Sequence, residues 1–365
     1  MKKTENSTFH LVVNTIFIGL LLTFAIVYLT TMLLAPGSQI APACYDGTVI
    51  EGDNAGMEFR RAVYQNNSTL DFIREYQYRL FGIADTNTVV MGENDFLFEQ
   101  RNTENGYEYL QDYTGNLSFT EAELAAILSV LKYRQDLCTK YGATYLLVVI
   151  PNSQTVYSEY MPSYLGRISK DTRLTRLQDY LQQNGFYGCL DLTAHLKLAK
   201  TDGQLYHNTE NAMNALGMYY AYQAVCESIA GNLTSPFEGI PRESLRFYRH
   251  ATPGRSTAQK AGLAELALNH TVALSNDTPI AYVETVNSGL YTVTEHLNCA
   301  NTSSLLLQFH SASDRTQSEI FFSNTFQKVT YQNRLSLTDE TLRVTDPQVV
   351  VQFITESELA RLIRK

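Results

Sequence analysis

A chain of 365 residues with 44% hydrophobic and 18% charged side chains can bury a sizeable core, and after any anchor is subtracted it holds one or two domains. Its formal net charge of -9 and the lack of a basic stripe exclude nucleic acid as a partner, because such binding needs clustered Lys and Arg to displace counterions. The chain has no Gly-rich phosphate loop, tandem repeat or CxxC pair, so neither a cofactor nor a metal is expected.

Residues 1–10 read as a short cytoplasmic tail. From Leu11 to Ala35 the run LVVNTIFIGLLLTFAIVYLTTMLLA holds no charge, and its 25 residues exceed the ~20 a helix needs to cross the hydrocarbon core. It is expected to be a transmembrane helix. Lys2 and Lys3 precede it and no Lys or Arg follows until Arg60. That asymmetry predicts a single-pass membrane protein with a cytoplasmic N-terminus and an extracytoplasmic main domain. A cleaved secretory signal is the alternative, but its apolar region runs only ~7 to 15 residues. Residues 36–54, rich in Gly, Pro and polar side chains, read as a stalk. Residues 55–365 then form the main domain. Its cysteines, with Cys44, number five, so they pair incompletely or remain buried thiols.

Phe59 to Leu80 has a helical pattern, and TVVMGENDFLFEQ (Thr88 to Gln100) predicts two short strands around a turn at Gly92 to Asp95. Ser118 with Glu121 reads as a capping box opening a helix that ends at Gly142. YLLVVIP (Tyr145 to Pro151) is a continuous apolar run, as expected of a strand covered on both faces. A helix from Asp171 to Gly185 and the strand CLDL (Cys189 to Leu192) follow. Ser235 to Asn301 looks like a β-rich insertion on the sheet's edge. After it come the strand LLLQF (Leu305 to Phe309), a helix over Arg315 to Phe326, and the strands KVTYQ (Lys328 to Gln332) and VVVQFIT (Val349 to Thr355). This alternation predicts an α/β fold with a parallel sheet flanked by helices. Ligands of such sheets sit at the carboxyl ends of the strands, here the loops after Ile150, Leu192 and Phe309.

The strings MGENDFLFE, VVIPNSQTVYSEYMP, CLDL and YHNTENAMNALGMYYAYQAV occur in an order that resembles the DHHW and AlgJ/AlgX-like proteins. These are SGNH-hydrolase-like proteins of bacterial envelopes, several of which act in O-acetylation of exported polysaccharides. The resemblance covers residues 55–230 and, more faintly, 303–360. It implies an SGNH-hydrolase-like sheet and a Ser attacking an ester carbonyl, with a His base oriented by an Asp.

The family's stretch looks like TDHHWT, where this chain reads TENAMN, Thr209 to Asn214. Glu210 stands in the Asp position, Asn211 and Ala212 in the two His positions, and Met213 in the Trp position. The serine falls at Ser313, or at Ser311 in a shifted register. His310 and His207 are the possible substitutes for the lost base. Asn152, Asp191 and Asn214 are candidate binding residues, each of which could instead cap a turn.

The resemblance thus implies a catalytically degenerate accessory of polysaccharide O-acetylation, with the membrane, a membrane-bound O-acyltransferase and an exported polysaccharide as partners. The alternatives are an active O-acetyltransferase or acetylesterase with a rearranged Ser and His set, and an unrelated surface protein with a generic α/β core.

Overall fold

The computed structural model describes residues 88–363 other than 103–105, 167–168, 234–238, 277–283, 288–289 and 311, together with Gly19, Leu22, Thr23 and Tyr78. The helix expected over Phe59 to Leu80 lies outside the described residues apart from Tyr78.

The centre is a seven-stranded sheet. In chain order the strands are β1 (Val89–Met91), β2 (Leu97–Glu99), β3 (Thr144–Ile150), β4 (Cys189–Asp191), β5 (Phe247–Pro253), β6 (Leu268–Leu274), β7 (Glu284–Asn287), β8 (Thr292–Glu295), β9 (Ser304–Phe309), β10 (Lys328–Gln332) and β11 (Val349–Thr355). The main sheet runs β4-β3-β11-β9-β10-β8-β7. Its first five strands are parallel, whereas β8 and β7 add antiparallel at the β10 edge. The expected parallel sheet is therefore mixed. Only half of the expected β-rich insertion lies on the sheet's edge, since β5 and β6 form a separate antiparallel ribbon, as do β1 and β2.

Helices cover both faces: α1 (Tyr109–Thr114), α2 (Glu121–Lys140), α3 (Ser153–Val156), α4 (Arg173–Gln183), α5 (Thr193–Ala199), α6 (Ala215–Ile229), α7 (Ser256–Lys260), α8 (Ala312–Phe322) and α9 (Asp339–Thr345). Side chains of a strand alternate between faces. Val148 and Ile150 accordingly join Leu216, Tyr219 and Tyr222 of α6, while Leu147 and Val149 join Leu124, Ile127 and Leu131 of α2. Continuous apolar runs are what a strand buried on both faces requires.

The cap of α2 lies two residues beyond the expected Ser118 and Glu121. Thr120 accepts from the Glu123 N–H, and Glu123 accepts from the Thr120 N–H. The later register places Phe119 before the cap and Leu124 in the first turn, both in one apolar cluster, a hydrophobic staple that the earlier register would lose. Similarly α4 begins at Arg173, capped by Thr172 rather than opened by Asp171.

Among the described residues no helix is long and apolar enough to cross a membrane. The single-pass localisation expected from residues 11–35 is corrected on that finding. The longest described helix, α2, has 20 residues but carries Glu121, Glu123, Lys132, Arg134, Asp136 and Lys140 along its length. A spanning helix needs ~20 predominantly apolar residues. Residues 11–35 lie outside the described residues apart from Gly19, Leu22 and Thr23. Cys138, Cys189, Cys226 and Cys299 are free thiols.

Candidate active site

Strand β3 ends at Pro151, which has no N–H to continue a ladder. The next residue, Asn152, gives its backbone N–H to Glu356 Oε2 at 2.8 Å, and Thr155 Oγ1 donates to the same oxygen at 2.7 Å. Glu356 follows β11, the hydrogen-bonded neighbour of β3, so the sheet brings together residues 204 positions apart. Burial pushes the Glu356 carboxyl up to about 7 against these two hydrogen bonds, with Asp112 and Asp191 pushing the same way.

The loop from Tyr206 to Met213 closes over this strand end. Tyr206 pairs with Met213, and the His207 N–H donates to the Ala212 carbonyl at 3.0 Å. Tyr206 Oη donates to the Pro151 carbonyl at 2.6 Å and so pins the loop to β3. Asn211 spends its amide on the same strand end. Its Oδ1 accepts the Ser153 N–H at 2.7 Å and its Nδ2 donates to Asn152 Oδ1 at 3.2 Å. Burial raises the Tyr109 hydroxyl to about 12, with Ser357, Asn211 and Asn102 pulling the other way and Glu358 pushing it up. Asn152 Nδ2 is buried without a hydrogen-bond partner.

Glu210 faces elsewhere: its Oε2 lies 3.0 Å from Arg255 Nη1, and its Oε1 is 3.4 Å from Ser256 Oγ. His207 is buried, with Nδ1 3.2 Å from Asn269 Nδ2. Burial first, then Arg255 and His250, lowers this imidazole to about 3, so it is neutral at ordinary pH.

The serine loop follows β9. His310 Nδ1 lies 2.6 Å from Glu358 Oε1, which also accepts from the Tyr107 hydroxyl at 2.7 Å. The other ring nitrogen, Nε2, meets an N–H of Arg361, whose guanidinium lies 5.1 Å above the Tyr107 ring. With Nδ1–H given to the carboxylate, Nε2 is the acceptor for Arg361. Ser311 lies outside the described residues, and Ser313 falls in the first turn of α8.

The model of the SGNH hydrolase-like domain of acetyltransferase AlgX matches residues 89–292, more than half of the chain. This protein belongs to that family. Similar solved structures include Bacillus cereus PatB1 with a sulfonyl adduct, 10% identical, covering 76% of this chain and 99% of that one at a TM-score of 0.54. The O-acetyltransferase domain of Pseudomonas putida AlgJ is 16% identical over 74% of this chain and 92% of its own, at 0.49. A DHHW family protein from Eubacterium siraeum is 14% identical over 76% and 98%, also at 0.49. At such identities the likeness is one of fold. None of the curated proteins compared with the chain matches it.

Membership in the AlgX-type family sets aside the unrelated surface protein. The match stops before β9, so the serine loop lies beyond it. Within this SGNH-like domain the structure brings Asn152 beside Asn211, and His310 beside Glu358. Asn214 caps α6, its Oδ1 accepting from the N–H groups of Leu216 and Gly217, and Asp191 closes the turn into α5, its Oδ1 accepting from the Thr193 N–H and Oγ1. Glu356, Glu358 and Arg361 are the groups sequence reasoning missed. Their signal was present, two acids within three residues of the end of a buried strand, in one of the two carboxyl-end loops not considered. Among the described residues no group of three or more His, Cys, Asp or Glu could hold a metal ion.

Proposed function

We propose that this chain serves polysaccharide O-acetylation by binding rather than by the family's serine chemistry, with an exported polysaccharide and a membrane-bound O-acyltransferase as its partners. The observation that carries this reading is the state of the acid and base positions. Ala212 offers no lone pair, Asn211 spends its amide on Asn152 and Ser153, and Glu210 is paired with Arg255. A serine needs a base within about 3 Å of its hydroxyl, oriented by a third group. His207 is committed to Asn269, and the free lone pair of His310 is taken by Arg361. Loss of a triad member lowers turnover on the order of 10⁴ to 10⁶.

The test is hydrolysis of 4-nitrophenyl acetate by the full chain beside its Ser311→Ala and Ser313→Ala variants, with circular dichroism to verify folding. The expected result is no serine-dependent turnover. Turnover abolished by either substitution would sink this reading.

One observation favours a second reading, an acetyltransferase or acetylesterase with a relocated base: the 2.6 Å contact of His310 with Glu358. In that mechanism the serine hydroxyl adds to the ester carbonyl, His310 Nε2 takes its proton, and Glu358 holds the imidazole. Arg361 must then release Nε2. Arg361→Ala would therefore raise ester turnover by roughly 10²-fold under this second reading and leave it at background under the first.

A further inference from the structure

The ribbon of β5 and β6 has two outer edges, and the chain treats them differently. In an antiparallel pair, facing residues alternate between those bonded to each other and those whose N–H and C=O groups point outward. On β6 the outward groups are covered: the His270 N–H donates to Asn208 Oδ1, the His270 carbonyl accepts from Gln204 Nε2, and the Leu268 carbonyl accepts from Asn208 Nδ2. His270 and Leu268 face Ala251 and Pro253, so the same alternation turns the backbone of Phe247, Arg249, Ala251 and Pro253 outward on β5. The Ser275 N–H, bonded inward to the Arg246 carbonyl, agrees with that phase. Among the described residues nothing bonds to the outward N–H or C=O groups of Phe247, Arg249 and Ala251.

An open edge is a template for another strand, and folded proteins blunt it by shortness, a bulge or proline. β5 runs seven residues, pairs with β6 without a bulge, and meets proline only at its last position. Arg246, Tyr248, Arg249 and Ala251 are exposed along it. On the face of Arg249 and Ala251 the ribbon borders a cleft of about 680 Å³ walled by Phe96, Tyr157 and Tyr160.

Charge decides which strand fits. From Arg246 to Pro253 the edge carries two guanidiniums and no carboxylate, in a chain of net charge -9. Asp202 is spent on Arg242, which stacks on Phe247, and Glu210 on Arg255, which follows the strand. Among the described residues no acid pairs with Arg246 or Arg249. A second copy of the chain is a poor match, because a two-fold pairing of β5 with itself, centred on the open stretch, sets the two Arg249 side chains opposite each other or two positions apart.

We propose that the outer edge of β5 takes up an extended acidic segment of a partner protein as an added strand. The segment's backbone bonds the outward groups of Phe247, Arg249 and Ala251, its carboxylates lie on the face of Arg249, and its apolar side chains cover Tyr248 on the other face.

The test is fluorescence anisotropy of the labelled heptapeptides TVEVEVT and TVKVKVT titrated with the full chain. Saturable binding of TVEVEVT is expected, at least about tenfold tighter than that of TVKVKVT. Ala251→Pro removes one outward N–H, leaves the ribbon's own bonds in place, and should weaken TVEVEVT about tenfold or more, with circular dichroism to verify folding. The double variant Arg246→Glu with Arg249→Glu changes only exposed side chains and should reverse the preference. No saturation by TVEVEVT, equal binding of both peptides, full affinity in a folded Ala251→Pro variant, or an unchanged preference in the double variant would each overturn the proposal. Self-association in sedimentation that Ala251→Pro abolishes would give the edge to a second copy and overturn it as well.

Discussion

The carboxyl-end loops and the ribbon cleft treat polar atoms in opposite ways. At the strand ends, Glu356 is closed on Asn152 and Thr155, Asn211 on Ser153 and Asn152, and Glu358 on Tyr107 and His310, and Asn152 Nδ2 is the exception. In the cleft, His250 Nδ1 and Thr271 Oγ1 are left without partners inside a wall that holds an unpaired guanidinium. A polar group satisfied within the protein stabilises the fold but has little left to offer a ligand. One left open costs stability until a ligand pairs it. The difference teaches that the polar groups at the strand ends serve the fold, whereas His250 Nδ1 and Thr271 Oγ1 of the ribbon wall do not.

The strongest challenge to that contrast is at the support of the loop. A side chain on Gly217 of α6 would place its Cβ 2.2 Å from the Leu205 carbonyl oxygen, so backbone must move. Gly217→Val is expected to lower stability by about 3 kcal/mol, the upper end for overpacking, read from the urea midpoint.

Next in size is Glu356. Its carboxyl titrates at about 7 in the fold against an ordinary 4.5, so the folded state holds the proton more tightly than the unfolded chain. The stability this contributes is fully present below about pH 4.5 and is lost as pH rises through 7. The loss is on the order of 2–3 kcal/mol. Glu356→Gln should flatten this part of the pH profile of chemical unfolding; an unchanged slope would place the dependence elsewhere. His207 acts in the opposite sense. Held at about 3 against an ordinary 6.5, it contributes stability above pH 6.5 that is lost as pH falls through 3.

Smaller again is Asn211→Ala, which orphans the Ser153 N–H and Asn152 Oδ1 and should cost about 1–2 kcal/mol. The smallest effect sharpens the comparison most. Thr271→Val replaces a hydroxyl that no protein group uses, so stability should change by less than about 0.5 kcal/mol or rise. A loss as large as that of Asn211→Ala would mean the two regions are not different in kind.

Much of the sheet was legible in the sequence. KVTYQ and VVVQFIT coincide with β10 and β11 because both are short and rich in β-branched and aromatic residues, which fit a strand buried on both faces. The cap of α2 was not, because SFTEAE contains two overlapping capping boxes and only the burial of Phe119 with Leu124 chooses between them. The antiparallel attachment of β8 to β10 escaped for a similar reason, since alternation within a strand says nothing of its neighbour's direction. At the site, the residue types of Glu210, Asn211, Ala212 and Met213 could be read directly, whereas the partners those residues took could not.

Residue chemistry alone therefore determined the alternation of helices and buried strands and that position 212 carries no acid–base group. Tertiary structure decided that Glu356 meets Asn152, that Glu358 and Arg361 enclose His310, and that the β5–β6 ribbon walls a cleft. The reason is geometric. Hydrophobic periodicity is a local property of the chain, but β3, β11 and β9 become neighbours only through hydrogen bonds between segments far apart in sequence, and those bonds set which loops share an end of the sheet.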